Sequence, residues 1–288
     1  MSRWGRLLAA GAGALAARYV LREVRTAPVA PALERTNFRG RTVTLAAGPA
    51  LAVGAATAGA LGAGSGPAGF AALVAGVGSG AVGLYDDVVG ARPEQKAAKG
   101  FAGHLAALRE GRVTAGLVKI VGVGAAGLGA AVLLAADPRV AAHPRRRAQT
   151  GPGRVMDVLL GAGVVAGTAN LLNLLDLRPG RAAKSGLLLA APLATGPYGG
   201  ISAGAAGAAA GLLGDDLDET VMLGDSGANA LGALLGVALA ARTGPLGRAG
   251  ALAVLAGLTA ASEKVSFTQV IQRTPVLREL DALGRRRD

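Results

Sequence analysis

Residues 68–87 read Ala68-Gly-Phe-Ala-Ala-Leu-Val-Ala-Gly-Val-Gly-Ser-Gly-Ala-Val-Gly83-Leu84-Tyr85-Asp86-Asp87. A small-residue apolar run, Ala68 to Leu84, ends in two adjacent carboxylates. An aspartate at the centre of a bilayer costs about 2.5–3.5 kcal/mol on insertion scales. The pair therefore belongs at the water-facing end of a membrane helix, where oxygen ligands can hold a divalent cation. The plainer reading is an ordinary helix end reaching water.

Two later stretches repeat the pattern of acids at the edge of apolar runs. In Asn170-Leu-Leu-Asn173-Leu-Leu-Asp176 the i, i+3, i+6 spacing puts the polar residues near one helix face. Amides beside a carboxylate can bind a nucleotide or orient a metal ligand; in a bundle they also simply bond neighbouring helices. In Leu223-Gly224-Asp225-Ser226-Gly227 the glycines allow a tight turn. Ser226 suits an N-cap. A helix start there would attract phosphate, with a cation between it and Asp225. Capping alone is the bland alternative.

Composition sets the class. Of 288 residues 51% are hydrophobic and 17% charged, with mean hydropathy +0.44. Soluble domains carry about 25% charged residues, so the chain reads as a membrane protein. Its 47 glycines permit close helix packing in lipid. The net charge of +12 reads as positive-inside bias, and no nucleic-acid partner is expected. The absence of cysteine excludes disulfides, thiolate metal sites and a cysteine nucleophile. With only His104 and His143, a multi-histidine zinc site is excluded too.

The apolar runs predict an all-α, polytopic bundle of about nine transmembrane helices, near 4–20, 43–63, 68–84, 113–135, 154–175, 185–200, 201–214, 226–241 and 249–262. Gly196-Pro-Tyr-Gly-Gly200 leaves 185–214 as either two short helices or one broken one. The N-terminal run resembles a signal peptide, but the cluster Arg18 to Arg25 favours an uncleaved first span. Alternation puts the N-terminus outside and the C-terminus in the cytoplasm. Twenty basic residues then fall inside and nine outside, with Arg145 to Arg147 opposing the bias. All three acidic stretches fall on the basic, cytoplasmic side. Residues 1–262 form the transmembrane part. Residues 263–288 form a tail in which Val276 to Leu283 has the spacing of an amphipathic surface helix. Lys119 lies inside the fourth span and needs a partner. The loop Arg35 to Arg41, with Arg39, is basic enough to hold phosphates or simply marks the inner side.

Gly-Leu-x-Asp-Asp, then Asn-x-x-Asn-Leu-x-Asp, then Gly-Asp-Ser-Gly-x-x-x-Leu-Gly, in this order, resembles the polyprenyl-phosphate N-acetylhexosamine-1-phosphate transferase family. The resemblance implies an enzyme of the bacterial cytoplasmic membrane, working in cell-envelope glycan synthesis with its active site on the cytoplasmic face. It implies Mg2+-dependent transfer of a sugar 1-phosphate from a UDP-sugar to polyprenyl phosphate, with release of UMP. By match to the family motifs, Asp86 and Asp87 serve the lipid phosphate and the metal, and Asp225 is a metal ligand. Asn173 and Asp176 position the nucleotide and metal, Asn170 is a further substrate-binding candidate, and Lys119 holds phosphate. A homodimer is a further expectation.

Three departures stand out. The second carboxylate of the family's Asp-Gly-x-Asp-Gly pattern is Pro179 here. The late histidine loop is replaced by Ser262 to Pro275, without histidine. The tenth span is missing. Sugar recognition then falls to substitutes, of which Arg178, Arg181, Lys184, Glu263, Lys264 and Arg273 are the candidates. The alternative is a non-catalytic relative that binds polyprenyl lipid or an envelope-synthesis partner.

Overall fold

A computed structural model describes residues 1–92, 95, 100–142 and 151–286. Among them the chain is 78% helical, in thirteen helices. These are α1 (Arg3–Thr26), α2 (Ala47–Leu61), α3 (Gly66–Val89), α4 (Gly100–Arg109), α5 (Ala115–Ala135), α6 (Pro138–Ala141), α7 (Gly151–Leu175), α8 (Arg181–Leu193), α9 (Gly199–Leu217), α10 (Gly224–Arg242), α11 (Pro245–Ser262), α12 (Phe267–Arg273) and α13 (Pro275–Ala282). Each of the nine apolar runs coincides with a helix. Three of these, α3, α5 and α7, are long and apolar enough to cross a membrane. His143 and Arg145 to Arg147, like Lys96 and Lys99, lie outside the described residues.

The ambiguous stretch 185–214 resolves into two helices, α8 and α9. The turn between them contains Gly196 at φ +87°, a left-handed conformation that favours glycine. Ser202 Oγ donates to the Ala190 carbonyl and ties the pair together.

Helix α10 lies at the centre, packed against α2, α3 and α7. Nearly every residue from Ser226 to Ala241 is buried, as expected of a helix apolar all round. The packing is close because side chains are missing. A Cβ on Gly207 of α9 would collide with the Ala10 carbonyl of α1, and one on Gly13 would collide with the Gly204 carbonyl. Small residues bring backbones together in this way where lipid offers no hydrophobic drive between helices.

The basic loop 35–41 is more ordered than expected. It is the turn of a short antiparallel hairpin, β1 (Glu34–Thr36) and β2 (Thr42–Thr44), in the register Glu34↔Thr44. Thr44 also bridges Val221, which fixes the hairpin beside the start of α10.

The tail folds as α12 and α13 and docks back on the bundle. Arg181, at the start of α8, binds Asp281 through Nε at 2.8 Å and Nη2 at 3.0 Å. Lys184 Nζ donates to the carbonyls of Leu280, Asp281 and Leu283. Val276, Leu277 and Leu280 stay exposed, which agrees with an amphipathic segment.

At the end of the bundle away from Asp86, buried polar groups are tied to protein partners. Arg248 Nη1 lies 3.1 Å from Asp157 Oδ2, and the same guanidinium donates to the carbonyls of Asp157 and Ala240. Asp137 accepts hydrogen bonds from Ser65, Tyr198 and the Arg139 backbone, joining α5, α3 and α9.

Candidate active site

Helix α3 runs on to Val89, so Asp86 and Asp87 lie within its last turn rather than beyond its end. Successive helical residues point in different directions, and the two acids do different work.

Asp87 faces the first turn of α10. Its Oδ1 accepts from the Asp225 N–H and its Oδ2 from the Ser226 N–H, each at 3.0 Å. The orphan amides of that helix start are thus capped by a carboxylate from another helix. The local residues make this approach feasible. Gly224 has φ +60°, and a Cβ there would sit 2.9 Å and 3.0 Å from the Asp87 oxygens. A Cβ on Gly83 would collide with the Asp225 carbonyl. Ser226 is not the N-cap; it is buried inside α10 and donates its hydroxyl to the Gly80 carbonyl at 2.9 Å.

Asp86 turns instead toward α5. Lys119 Nζ lies 2.6 Å from Asp86 Oδ2 and 2.5 Å from Asp225 Oδ2. Two carboxylates from different helices therefore converge on one cationic position, and Lys119 has the partners that its place inside an apolar run demands. His104 of α4 stands nearby, 2.8 Å from Thr114 Oγ1 at the start of α5. No motif pointed to it.

Asp176 follows the last residue of α7. Burial and the negative charges of Asp216, Asp225 and Asp87 push its carboxyl well above the ordinary value, against the lowering effect of the Gly224 N–H. The three acidic stretches thus meet at one end of the bundle.

A cavity of about 600 Å3 opens at this centre between α5, α7 and α11. Lys119, His104, Asn173 and Glu263 are among its polar residues, and Ile120, Val123 and Leu252 among its apolar ones. Asn170 also lines it and donates to Thr259 Oγ1 at 3.0 Å. A second, smaller hollow of about 50 Å3 is lined by Asp176, Phe38, Arg178 and Asp216. The Arg178 guanidinium stacks 4.1 Å from the Phe38 ring centre. Arg39 is paired with Glu219 at 3.1 Å.

The substitutes for sugar recognition divide. Arg181 is buried and tied to Asp281 and Thr268, and Lys184 holds the tail backbone, so both bind their own chain. Arg178 and Glu263 border the two hollows, while Lys264 and Arg273 are exposed on the tail segment.

Among the described residues no group of three His, Cys, Asp or Glu is arranged to hold a metal ion. Asp87 has both oxygens on backbone amides and does not fit as a ligand. Asp86 and Asp225, which already share one cation, do fit, because Mg2+ takes one or two carboxylates together with water and phosphate. No protein-family model matches the chain, and no curated protein matches it significantly.

Proposed function

We propose that the chain is a multi-pass membrane transferase. It moves a sugar 1-phosphate from a UDP-sugar of the N-acetylhexosamine type onto polyprenyl phosphate and releases UMP. The observation that carries this reading is the convergence of Asp86 and Asp225 on Lys119 at a cavity of about 600 Å3 with apolar walls. Charged groups beside an apolar groove suit a reaction in which phosphates meet at the head of a hydrocarbon chain.

A phosphate oxygen of the polyprenyl phosphate attacks the β-phosphorus of the UDP-sugar. A new P–O bond forms there, and the bond from that phosphorus to the bridging oxygen breaks. UMP leaves with the electron pair. Positioning and charge neutralisation dominate such chemistry. Lys119 steers the phosphates, and Asp87 holds the start of α10 so that Asp225 faces them. Asp176 and Asn173 serve the nucleotide side, with Arg178 over Phe38 beside it. Mg2+, when bound, supplies charge neutralisation on the diphosphate, and Asp86 and Asp225 are the residues that hold it.

In this reading the nine apolar helices span a bacterial cytoplasmic membrane, with the N-terminus outside and the site on the cytoplasmic face. The positive-inside bias supports that orientation. A second reading, a non-catalytic binder of polyprenyl lipid, is favoured by one observation: Lys119 neutralises Asp86 and Asp225 from within the chain. UMP release by the purified protein decides between them, with undecaprenyl phosphate, Mg2+ and a panel of UDP-sugars. Release that needs lipid, Mg2+ and Asp225 supports the transferase. No release from protein that still binds the lipid supports the second reading.

A further inference from the structure

The ammonium of Lys119 stands where the two candidate cation ligands converge. Its Nζ lies 2.6 Å from Asp86 Oδ2 and 2.5 Å from Asp225 Oδ2. The other oxygen of Asp86 lies against Gly90, where an added Cβ would come within 2.6 Å of it. Asp87, the third acid of this group, has both oxygens on backbone amides. Mg2+ binds carboxylate oxygen at about 2.0–2.1 Å. It therefore needs the oxygens that Lys119 already holds, and two cations at such a spacing repel strongly.

The lysine has room to leave. Arg248, at the other end of the bundle, is packed in, its side chain 1% exposed. The Lys119 side chain is 20% exposed and lines the cavity of about 600 Å3. Its flexible four-carbon stem can turn into that space with no shift of α5. We infer that Lys119 is an exchangeable internal counter-ion. It and a divalent cation exclude one another on Asp86 and Asp225, and loading of the cation turns the ammonium into the cavity. The acids thus keep a positive charge in both states, which matters because a buried carboxylate stripped of its partner is strongly destabilising. The turned ammonium faces open space instead of carboxylates and becomes available to an anion there. Cation and anion then favour each other's binding. The inference rests on the reading of Asp86 and Asp225 as cation ligands and adds the event by which they are loaded.

The test needs no turnover. Purified full-length protein in detergent is titrated with Mn2+, and the unbound ion is followed by electron paramagnetic resonance, for the wild type, Lys119→Met and Asp225→Asn. Lys119→Met should bind Mn2+ roughly 5- to 150-fold more tightly than the wild type, the usual range of coupling between two ligands. Asp225→Asn should bind it more weakly. A second measurement uses the wild type alone. Lys119 is acylated with an N-hydroxysuccinimide ester and followed by peptide mass spectrometry, in saturating Mg2+ and in EDTA. Lys119 should react faster with Mg2+, while Lys264, exposed on the tail, reacts equally in both. Equal Mn2+ affinity of the wild type and Lys119→Met, with Asp225→Asn weaker, would overturn the inference and leave the cation site standing. Mn2+ bound by neither the wild type nor Lys119→Met would overturn both. Acylation of Lys119 at the same rate with and without Mg2+ would overturn the inference even where Lys119→Met does not fold.

Discussion

The two ends of the bundle treat buried charge in opposite ways. At the far end Arg248 reaches Asp157 and two backbone carbonyls, and Asp137 gathers Ser65, Tyr198 and a backbone amide. At the near end Asp86, Asp87, Asp176, Asp216 and Asp225 crowd together, Lys119 bridges two of them, and a cavity opens beside it. Charge met by an opposite charge or by donors holds helices in place. Charge in excess of its partners, next to open space, is held ready for something else.

Four perturbations would break or sharpen this contrast. The largest effect belongs to Asp225→Asn. It should lower UMP release roughly 100- to 1,000-fold, the scale on which loss of one preorganised electrostatic group acts, with little change in melting temperature. A stability loss as large as the activity loss would remove the distinction between the two ends. Next, Arg248→Met should cost about 3–5 kcal/mol, because it takes the guanidinium away from the buried Asp157 carboxylate. Arg248→Met with Asp157→Leu should recover most of that loss. Unfolding titrations in mixed micelles measure both, and activity per folded molecule should stay at the wild-type level.

Gly83→Ala should cost about 1–3 kcal/mol from overpacking, and it should also reduce activity, since the new methyl pushes α3 away from Asp225. Retained activity at reduced stability would mean that the α3–α10 approach does not set the site. The smallest effect concerns the tail. Burial works against the charged form of Asp281, but the hydrogen bonds and charge of Arg181, with those of Arg285, outweigh it and hold the carboxyl below the ordinary 3.8. The sign follows: its contribution is complete above about pH 3.8 and is lost as pH falls through the lower folded value. Pepsin should therefore release α13 only at the acidic end of its range, and Asp281→Asn should release it at higher pH.

Much of the fold was legible because apolar helices announce themselves by composition. Each of the nine runs overlaps a helix, including the divided stretch around Gly196, and three of these helices, α3, α5 and α7, are long and apolar enough to cross a membrane. Boundaries were less legible. The run ending at Leu84 gave no reason to continue through Asp86 and Asp87, yet α3 ends only at Val89, which places both acids on the helix and separates their directions. The meeting of the three acidic stretches was readable from charge and order. The capping role of Asp87 was not, since it depends on how closely α10 approaches Gly83. Likewise, 91 residues separate Arg248 from Asp157, and nothing local in either stretch signals the pair. Arg181 and Lys184 looked like free cations because their partner, the tail, lies about a hundred residues away.

The crossing of α1 and α9 has a consequence for how this protein is probed. Gly207 and Gly13 meet carbonyls with no room for a methyl group. Scanning mutagenesis with alanine is meant to erase a side chain and ask what it did. At these positions it inserts one, so the mildest replacement becomes a wedge. A map of sensitive positions drawn that way would mark the glycine seam most strongly and pass over many of the larger side chains on the exposed surface.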